Sequence, residues 1–163
     1  MLKIITLPDA RLRTKSAPVD FNQFDKNRFQ TIIEEMTSLM YQSDGVGIAA
    51  PQVGINERFC IIGKLGIEKD KKSGLKIADT VLINPVWTKL SRKKNSEGEG
   101  CLSVPHTFGA VSRLSEIKVK AQNSEGQIIE FIAYGYLARV IQHEVDHLDG
   151  VLFIDKATGI YND

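Results

Sequence analysis

The clearest hydrophobic pattern in the chain has the period of a helix and lies near the N-terminus. Over residues 25–41 apolar side chains recur three and four positions apart, as they do on the buried face of an amphipathic helix. These side chains are Phe29, Ile32, Ile33, Met36, Leu39 and Met40. Asp25 is a typical N-cap residue and Gly45 a typical stop, so the pattern predicts a helix between them.

The middle of the chain has the composition of β-strands. Four short segments are rich in β-branched and aromatic residues and are separated by polar or charged stretches. They read RFCIIGK, TVLINPVWTKL, EIKVKA and QIIEFIAYG. The sequence QNSEGQ is typical of a hairpin turn. The charged stretches EKDKKSGLK and SRKKNSEGEG are predicted to be surface loops.

A second helical pattern begins at Tyr136 and ends at Gly150, a residue type that commonly terminates helices. The sequence VLFID that follows predicts a short strand or an extended tail. Together these elements predict an α+β fold, with antiparallel β-sheets packed around the C-terminal helix and with an additional N-terminal helix. The chain length of 163 residues is typical of one domain, and we expect residues 1–163 to form a single domain.

Composition and charge argue against several classes of function. The formal net charge is +1, with 42% hydrophobic and 25% charged residues, so there is no overall excess of basic charge for binding nucleic acid or acidic membranes. No apolar run approaches the ~20 residues needed to cross a bilayer. The opening MLKIITLPDARLR lacks the apolar core and cleavage site of a signal peptide. We therefore expect a cytoplasmic protein with no nucleic-acid or membrane partner.

The two cysteines differ in their sequence surroundings. Cys60 lies in an apolar, strand-like segment and is expected to be a small buried hydrophobe. Cys101 lies in the glycine-rich stretch EGEGCLSVP. A disulfide between the two is disfavoured in a protein without a secretion signal. A thiol on a glycine-rich bend is the better candidate for a metal ligand or a nucleophile.

The last predicted helix carries the strongest indication of chemistry. The stretch QHEVDHLDG places His143 and His147 one turn apart, with Glu144 directly after the first histidine. Because the chain has only three histidines, the pattern His-Glu-x-x-His seldom arises by chance. Glu144 falls at the edge of the apolar arc of the helix, which predicts a partly buried carboxylate with a raised pKa. Such a group is suited to act as a general base near neutral pH.

A helical projection divides the other side chains of this helix between two faces. The apolar face contains Leu137, Ile141, Val145 and Leu148. The face predicted to be exposed to solvent contains Arg139, Gln142, Asp146 and Asp149. The two histidines lie on the flank between these faces.

A catalytic metal site needs a third protein ligand in addition to the two histidines. After His147 the chain contains no further histidine or glutamate, and Asp149 lies on the solvent face. The ligand must therefore come from earlier in the chain, where the candidates are His106, Cys60 and Cys101. Cys101 is favoured because it lies on the glycine-rich bend.

A set of one cysteine and two histidines would leave a fourth position open for water, as in catalytic rather than structural zinc sites. The cation would deprotonate the thiol and lower the pKa of its bound water from about 15.7 toward ~7. Because a thiolate softens the ion, iron(II) or nickel would suit this set as well as zinc. Without a metal, the two histidines would simply be a polar flank of the helix.

Three segments, taken in order, resemble the signature motifs of the peptide deformylases. They are GVGIAAPQ at 45–52, EGCLS at 99–103 and QHEVDH at 142–147. The segments LPDARLR and GVLFID are also similar to family segments, so the resemblance covers nearly the whole chain. Taken alone, GVGIAAPQ would indicate only a tightly packed turn, and its glycine spacing does not fit a dinucleotide-binding loop.

The resemblance implies a metal-dependent hydrolase that removes the formyl group from the N-formylmethionine of nascent polypeptides and releases formate. It implies one divalent ion per chain, natively Fe(II), with Zn, Ni or Co as alternatives. By position, the metal ligands would be Cys101, His143 and His147.

The resemblance also implies roles for residues around the metal. Glu144 would take the proton from the metal-bound water and pass it to the leaving amine. The side-chain amide of Gln52 and the backbone N–H of Leu102 would hold the developing oxyanion. Backbone groups of Val46 and Gly47 would pair with the extended peptide substrate.

The first side chain of the substrate, methionine, calls for an apolar pocket. Val46, Tyr136 and Val140 are expected to line it, and Arg139 is expected at its rim with its aliphatic stem against the pocket. Glu99 is expected to orient a metal ligand or the bend, and the alternative is a solvated loop charge.

Two features depart from the family pattern. Many members carry an arginine where this chain has Phe108, whereas Arg113 fits a later family arginine. His106 lies near the bend; the two alternatives are contact with the mouth of the substrate site and no specific role, and the second is favoured. Some bacterial relatives continue into a long C-terminal helix associated with ribosome docking, whereas this chain stops at Asp163, so the resemblance does not predict stable ribosome docking.

Two other functions fit part of the pattern. A metallopeptidase that cuts internal peptide bonds would share His-Glu-x-x-His, but its usual third ligand lies downstream and is missing here. An inactive, deformylase-like metal-binding protein would need neither Glu144 nor Gln52. Deformylase activity is therefore the favoured prediction.

Overall fold

The computed structural model describes residues 1–163 and has an α+β fold with two antiparallel sheets. The helices are α1 (Lys26–Gln42), α2 (Lys64–Glu68) and α3 (Gly135–Leu148). The strands are β1 (Gly47–Ala49), β2 (Phe59–Ile62), β3 (Thr80–Lys89), β4 (Lys94–Cys101), β5 (Val104–Leu114), β6 (Glu116–Gln122), β7 (Ile128–Tyr134) and β8 (Thr158–Asn162). The 3₁₀ turns are Ala10–Arg13, Phe21–Gln23, Ala50–Val53 and Phe153–Asp155.

The C-terminal helix α3 packs between the two sheets, as the sequence predicted. One sheet has the strand order β1-β2-β3-β6-β7 and the other has the order β4-β5-β8. The apolar face of α3 belongs to the largest core cluster, together with side chains from the five-stranded sheet. Its members on α3 include Leu137, Ile141, Val145 and Leu148. None of the three helices has the length and apolar character needed to span a membrane.

The predicted N-terminal helix is confirmed. The carboxylate of Asp25 accepts hydrogen bonds from the backbone N–H groups of Asn27 and Arg28, so it caps the first turn of α1. The helix ends at Gln42, and Gly45 donates a backbone hydrogen bond to the Met40 carbonyl just beyond that end. Its apolar face packs on β1 and β2 in a second core cluster.

The structure differs from the predicted elements in three places. The stretch SRKKNSEGEG contains most of β4 instead of a loop, and the following β5 has no counterpart among the predicted strands. Most side chains of β4 are exposed, so its sequence lacks the apolar alternation of a strand; backbone pairing with β5 stabilises it. In VLFID the chain forms a 3₁₀ turn in which Phe153 is buried.

The face of α3 that was predicted to be exposed is mostly buried. Arg139, Gln142 and Asp146 are buried, and only Asp149 of that face is exposed. The prediction failed because a single helical projection assumes one covered face, whereas the β4-β5-β8 sheet lies over the opposite side of this helix. The charged residues on that side are therefore part of the protein interior.

Candidate metal centre

Helix α3 and the end of strand β4 bring three metal-ligating side chains together. The thiol of Cys101 and one ring nitrogen each of His143 and His147 all lie within 4.8 Å of one another. The Cys101 Sγ is 3.2 Å from the Nε2 of His147. The other two candidates are not in the cluster: Cys60 is fully buried in the core, and His106 is exposed.

Close packing at Gly100 shapes the bend that carries Cys101. The register between β4 and β5 shifts between Gly100 and Cys101, so the strand ends in a turn there. A Cβ atom on Gly100 would lie 2.8 Å from the Phe108 ring. Only glycine leaves room for this aromatic ring beside the thiol.

A buried carboxylate orients the first histidine. The Glu99 Oε2 lies 2.9 Å from His143 Nδ1, which leaves the other ring nitrogen of His143 free to bind a cation. Glu99 also accepts two hydrogen bonds of 2.9 Å from Arg113 and one of 2.6 Å from Arg139. Burial raises the pKa of Glu99, but the hydrogen bonds and positive charges of Arg113 and His143 outweigh burial, so the pKa is lowered overall. Glu99 is thus an ionised, interior carboxylate rather than a solvated loop charge.

Arg139 lines the cavity of this site, in agreement with its predicted place beside the pocket, but it is buried and not on a solvent-exposed face. Its side chain is 3% exposed, and its guanidinium donates to Glu99, to the carbonyls of Val111 and Asn95, and to the Asn95 side chain. The guanidinium of Arg113, which donates to Glu99, also donates a hydrogen bond of 2.5 Å to the Asp146 carboxylate. We refer to Glu99, Arg113, Arg139, His143 and Asp146 as the Glu99 cluster. Sequence periodicity cannot show how these opposite charges pair, which is why Arg139 and Asp146 were predicted to lie on the solvent-exposed face of the helix.

The donor set fits a divalent transition metal. Ligand atoms on neighbouring corners of a tetrahedral site with bonds of roughly 2.0–2.3 Å lie about 3–4 Å apart. The Cys101–His147 separation of 3.2 Å falls in this range, and all three ligand atoms lie within 4.8 Å of one another. Burial lowers the pKa of His147 well below its ordinary value, so this ring is in the neutral form that binds metals. Burial also disfavours the charged form of His143, but hydrogen bonds with Cys101 and Glu99 raise its pKa to about 10. A cation on the thiolate and this ring would replace that proton.

The Glu144 carboxylate lines the same cavity as Cys101 and His143 and occupies a confined space. A Cβ on Gly47 would lie 2.6 Å from Glu144 Oε1, so the carboxylate packs directly against the backbone of β1. Glu144 is 4% exposed, and its Oε2 has no hydrogen-bond partner in the protein. Burial raises the pKa of Glu144 to about 7. The predicted partial burial is therefore correct and is in fact nearly complete.

Gln52 directs its side-chain amide toward the thiol. The Gln52 Oε1 accepts a hydrogen bond of 2.9 Å from the Ala49 backbone N–H, which fixes the orientation of the amide. The Nε2 then lies 3.6 Å from Cys101 Sγ and 3.3 Å from Ser103 Oγ. The rigid 3₁₀ turn Ala50–Val53, with Pro51 in its first turn, holds Gln52 in this position.

A cavity of about 540 Å³ opens above these groups. Its volume lies within the range of about 300–1,000 Å³ typical of ligand pockets. Every predicted site residue except His147 lines it; these residues are Val46, Gly47, Gln52, Cys101, Leu102, Tyr136, Val140, His143 and Glu144. His147 lies behind the thiol and is buried. The cavity is also lined by Pro105, Thr107 and Phe108, for which no contact with the substrate was predicted, and by His106, for which contact with the substrate mouth was the less favoured alternative.

Comparison with known proteins identifies the family to which the chain belongs. The family model described as polypeptide deformylase matches residues 1–162. Peptide deformylase 2 of Xanthomonas campestris is 43% identical over 95% of this chain and 86% of that protein. The crystal structure of peptide deformylase from Thermotoga maritima superposes with a TM-score of 0.84 and 40% identity, covering 97% of this chain and 98% of that one.

A relative with a bound peptide has the same fold. The Met-Ala-Ser-bound crystal structure of a class I type b peptide deformylase from Acinetobacter baumannii superposes with a TM-score of 0.84 and 33% identity. The match covers 96% of this chain and 98% of that chain. Matches of this extent, in sequence and in structure, establish that the chain belongs to the peptide deformylase family of hydrolytic enzymes.

Proposed function

We propose that this protein hydrolyses the formyl amide at the N-terminus of N-formylmethionyl peptides and of nascent chains in the cytoplasm, releasing formate. The observation that carries the proposal is the convergence of Cys101, His143 and His147 beside the buried carboxylate of Glu144, at the bottom of a ligand-sized cavity. Family membership and the Met-Ala-Ser peptide bound by the Acinetobacter relative support it.

The three clustered side chains are proposed to hold one divalent cation, natively Fe(II), with Zn, Ni or Co as alternatives. When bound, the ion would polarise the formyl carbonyl and acidify a water molecule. Glu99 keeps His143 oriented for binding because it accepts the hydrogen bond from its Nδ1. The neutral ring of His147 and the sulfur of Cys101 complete the protein ligands.

Glu144 is proposed to act as the general base and then as the general acid. Its unpartnered Oε2 can accept a proton from the attacking water, and the protonated carboxyl can then donate it to the amide nitrogen as the C–N bond breaks. The free amine of methionine leaves, and formate remains. The contact with Gly47 limits the motion of the carboxylate between these two proton transfers.

Stabilisation of the oxyanion is assigned to Gln52 and Leu102. The Gln52 Nε2 is aimed at the thiol side of the cavity because its Oε1 is held by the Ala49 N–H. The backbone N–H of Leu102 lies next in the chain to Cys101. Each donor of this kind contributes about 10²–10³ in rate.

The substrate is proposed to bind as an extended strand along β1. Backbone groups of Val46 and Gly47 are assigned to pair with the peptide backbone. The apolar side chain of methionine would then enter the part of the cavity lined by Val46, Tyr136 and Val140.

Formate release from formyl-Met-Ala-Ser by anaerobically prepared protein tests this proposal. Glu144→Gln should lower kcat by at least about 10²-fold while metal content, measured by mass spectrometry, stays near that of the unmodified protein. The matched control is Glu68→Gln, which changes an exposed glutamate and should leave both quantities unchanged. Failure to release formate, or cleavage of internal bonds in casein, would overturn the assignment and favour a metallopeptidase.

A further inference from the structure

A second cavity of the protein is lined mainly by lysines. Its volume is about 470 Å³, and it shares no lining residue with the cavity above the metal ligands. We call it the basic cavity, after its five lysines Lys69, Lys71, Lys72, Lys93 and Lys94. All five are exposed, and only two carboxylates, those of Asp70 and Glu116, lie among them. The site thus combines a concave shape with an excess of positive charge.

The five lysines of the basic cavity form no ion pairs, unlike several other lysines of the protein. The ion-paired lysines are Lys26, Lys118, Lys120 and Lys156. The carboxylate of Asp70 instead accepts hydrogen bonds from the backbone N–H groups of Lys72, Ser73 and Tyr134. Asp70 therefore fixes the lysine-rich loop against the end of β7, and the ammonium groups around the cavity remain available to an external anion.

Basic residues are concentrated in the part of the chain that supplies these lysines. Residues 64–94 contain nine lysines and arginines against three acidic residues, a net charge of +6, whereas the rest of the chain contains 12 basic and 17 acidic residues, a net charge of −5. The expectation of no nucleic-acid partner rested on the net charge of +1 for the whole chain, which conceals this separation. A local basic surface can bind a polyanion even when the protein as a whole is nearly neutral.

The walls of the basic cavity also contain an aromatic ring and fixed polar backbone. Tyr134 lines the cavity, and the ammonium of Lys72 lies 5.6 Å from the centre of its ring. The Ser115 N–H donates to the Lys93 carbonyl at 2.9 Å, and the Gly135 N–H donates to the Ser115 carbonyl at 2.8 Å. These hydrogen bonds hold the turn between β3 and β4 against the start of α3. A basic groove with an aromatic side chain is the combination that binds single-stranded nucleic acid.

We propose that the basic cavity binds the phosphate backbone of a single-stranded nucleic acid, an interaction that is independent of the proposed hydrolysis. Each phosphate that meets an ammonium group releases condensed counterions, which favours binding at low salt. A rigid duplex does not fit into a cavity of this volume, whereas a flexible single strand can follow its wall. The concave shape is also a poor match to the flat surface of a bilayer, so a nucleic acid is favoured over an anionic membrane.

The test measures binding of a fluorescein-labelled 12-nucleotide oligouridylate to the full-length, metal-loaded protein by fluorescence anisotropy. Five phosphate contacts predict a slope of about −3.5 for the logarithm of the affinity against the logarithm of the salt concentration. Raising the potassium chloride concentration from about 50 to about 200 mM should therefore weaken binding about 100-fold.

Two variants with the same change in net charge provide the comparison. Lysine-to-glutamine changes at 71, 72, 93 and 94 together should weaken binding at least about tenfold at low salt and reduce the slope to about −0.7. Lys69 is kept because its ammonium lies 4.1 Å from the centre of the Tyr136 ring, which lines the metal-site cavity. The control carries the same change at four exposed lysines outside the cavity, Lys3, Lys15, Lys26 and Lys118. It should keep its affinity within about threefold, and circular dichroism of both variants checks that they are folded.

Three results would overturn the proposal. The first is the absence of binding at the lower salt concentration, and the second is an equal loss of affinity in the two variants, which would mean that only total charge matters. The third is a different occupant, shown by tighter binding of ATP than of the oligouridylate or by binding to phosphatidylserine vesicles without binding to the oligouridylate. None of these measurements depends on formate release, so the proposed function and the nucleic-acid site can fail separately.

Discussion

Replacing Glu99 with glutamine should remove a large part of the folding free energy of the protein. The carboxylate accepts hydrogen bonds from Arg113, Arg139 and His143, and both guanidinium groups are buried with it. Removing one partner of a buried ion pair typically costs about 3–5 kcal/mol, because the other charge remains buried without compensation. Glutamine has nearly the same shape, but its NH₂ group would face N–H donors that need an acceptor.

The loss would be large relative to the total stability of a domain, about 5–15 kcal/mol. For a chain of this length 1 kcal/mol corresponds to roughly 2–4 °C in Tm, so Glu99→Gln should lower Tm by about 6–20 °C. The assay is urea unfolding followed by circular dichroism, together with a thermal scan of metal-free protein. The metal-free form is used so that altered metal affinity does not enter the comparison.

Glu97→Gln on the same strand is the matched control. Glu97 pairs with the same Arg139, but at 3.5 Å and with a side chain that is 51% exposed. Exposed pairs contribute about 0–1 kcal/mol, so this variant should unfold within about 1 kcal/mol of the unmodified protein. If Glu99→Gln were no more destabilising than Glu97→Gln, the Glu99 cluster would not depend on its central carboxylate and the reasoning would be wrong.

Three further changes test separate parts of the structure. Gly47→Ala should reduce turnover at least about tenfold while the metal content is retained, because the added methyl group would displace the Glu144 carboxylate. Activity equal to that of the unmodified protein would contradict the contact between Gly47 and Glu144. Cys101→Ala should lower metal occupancy sharply in elemental analysis, whereas the control Cys60→Ala should retain the metal; equal occupancy in both would mean that the third ligand is wrong. Gly150→Ala should lower the free energy of unfolding by more than about 1 kcal/mol, because Gly150 has a φ of 73° and a Cβ there would lie 2.5 Å from the Arg13 carbonyl oxygen. An unchanged midpoint of urea unfolding would refute this prediction.

Sequence periodicity was sufficient where a structural feature depends on near neighbours. The N-cap at Asp25, the apolar stripe of α1 and the one-turn spacing of His143 and His147 all follow from local helix geometry. The α+β class follows from the order of the elements. The strand β4 was missed because its stability depends on pairing with β5 and not on its own polar side chains.

The tertiary structure decided everything that depends on how the second sheet packs. Sequence alone favoured Cys101 over Cys60 and His106 as the third ligand because of its glycine-rich bend, and the fold brings the Cys101 thiol close to both histidine rings. The burial of Arg139 was invisible, because a helical projection does not show that a second sheet covers the other face of α3.

The amino-acid sequence by itself therefore determined the helices α1 and α3, most strands of the larger sheet and the two histidines with the glutamate between them, whereas the short helix α2 was not predicted. The fold alone determined which carboxylate neutralises the interior arginines and which residues line the cavity, and it brings the predicted thiol of Cys101 close to both histidines. The physical reason is the distance along the chain between the residues that interact. Helical spacing is set by hydrogen bonds between residues four apart, whereas these contacts join side chains that are far apart in the chain and meet only when both sheets pack on α3.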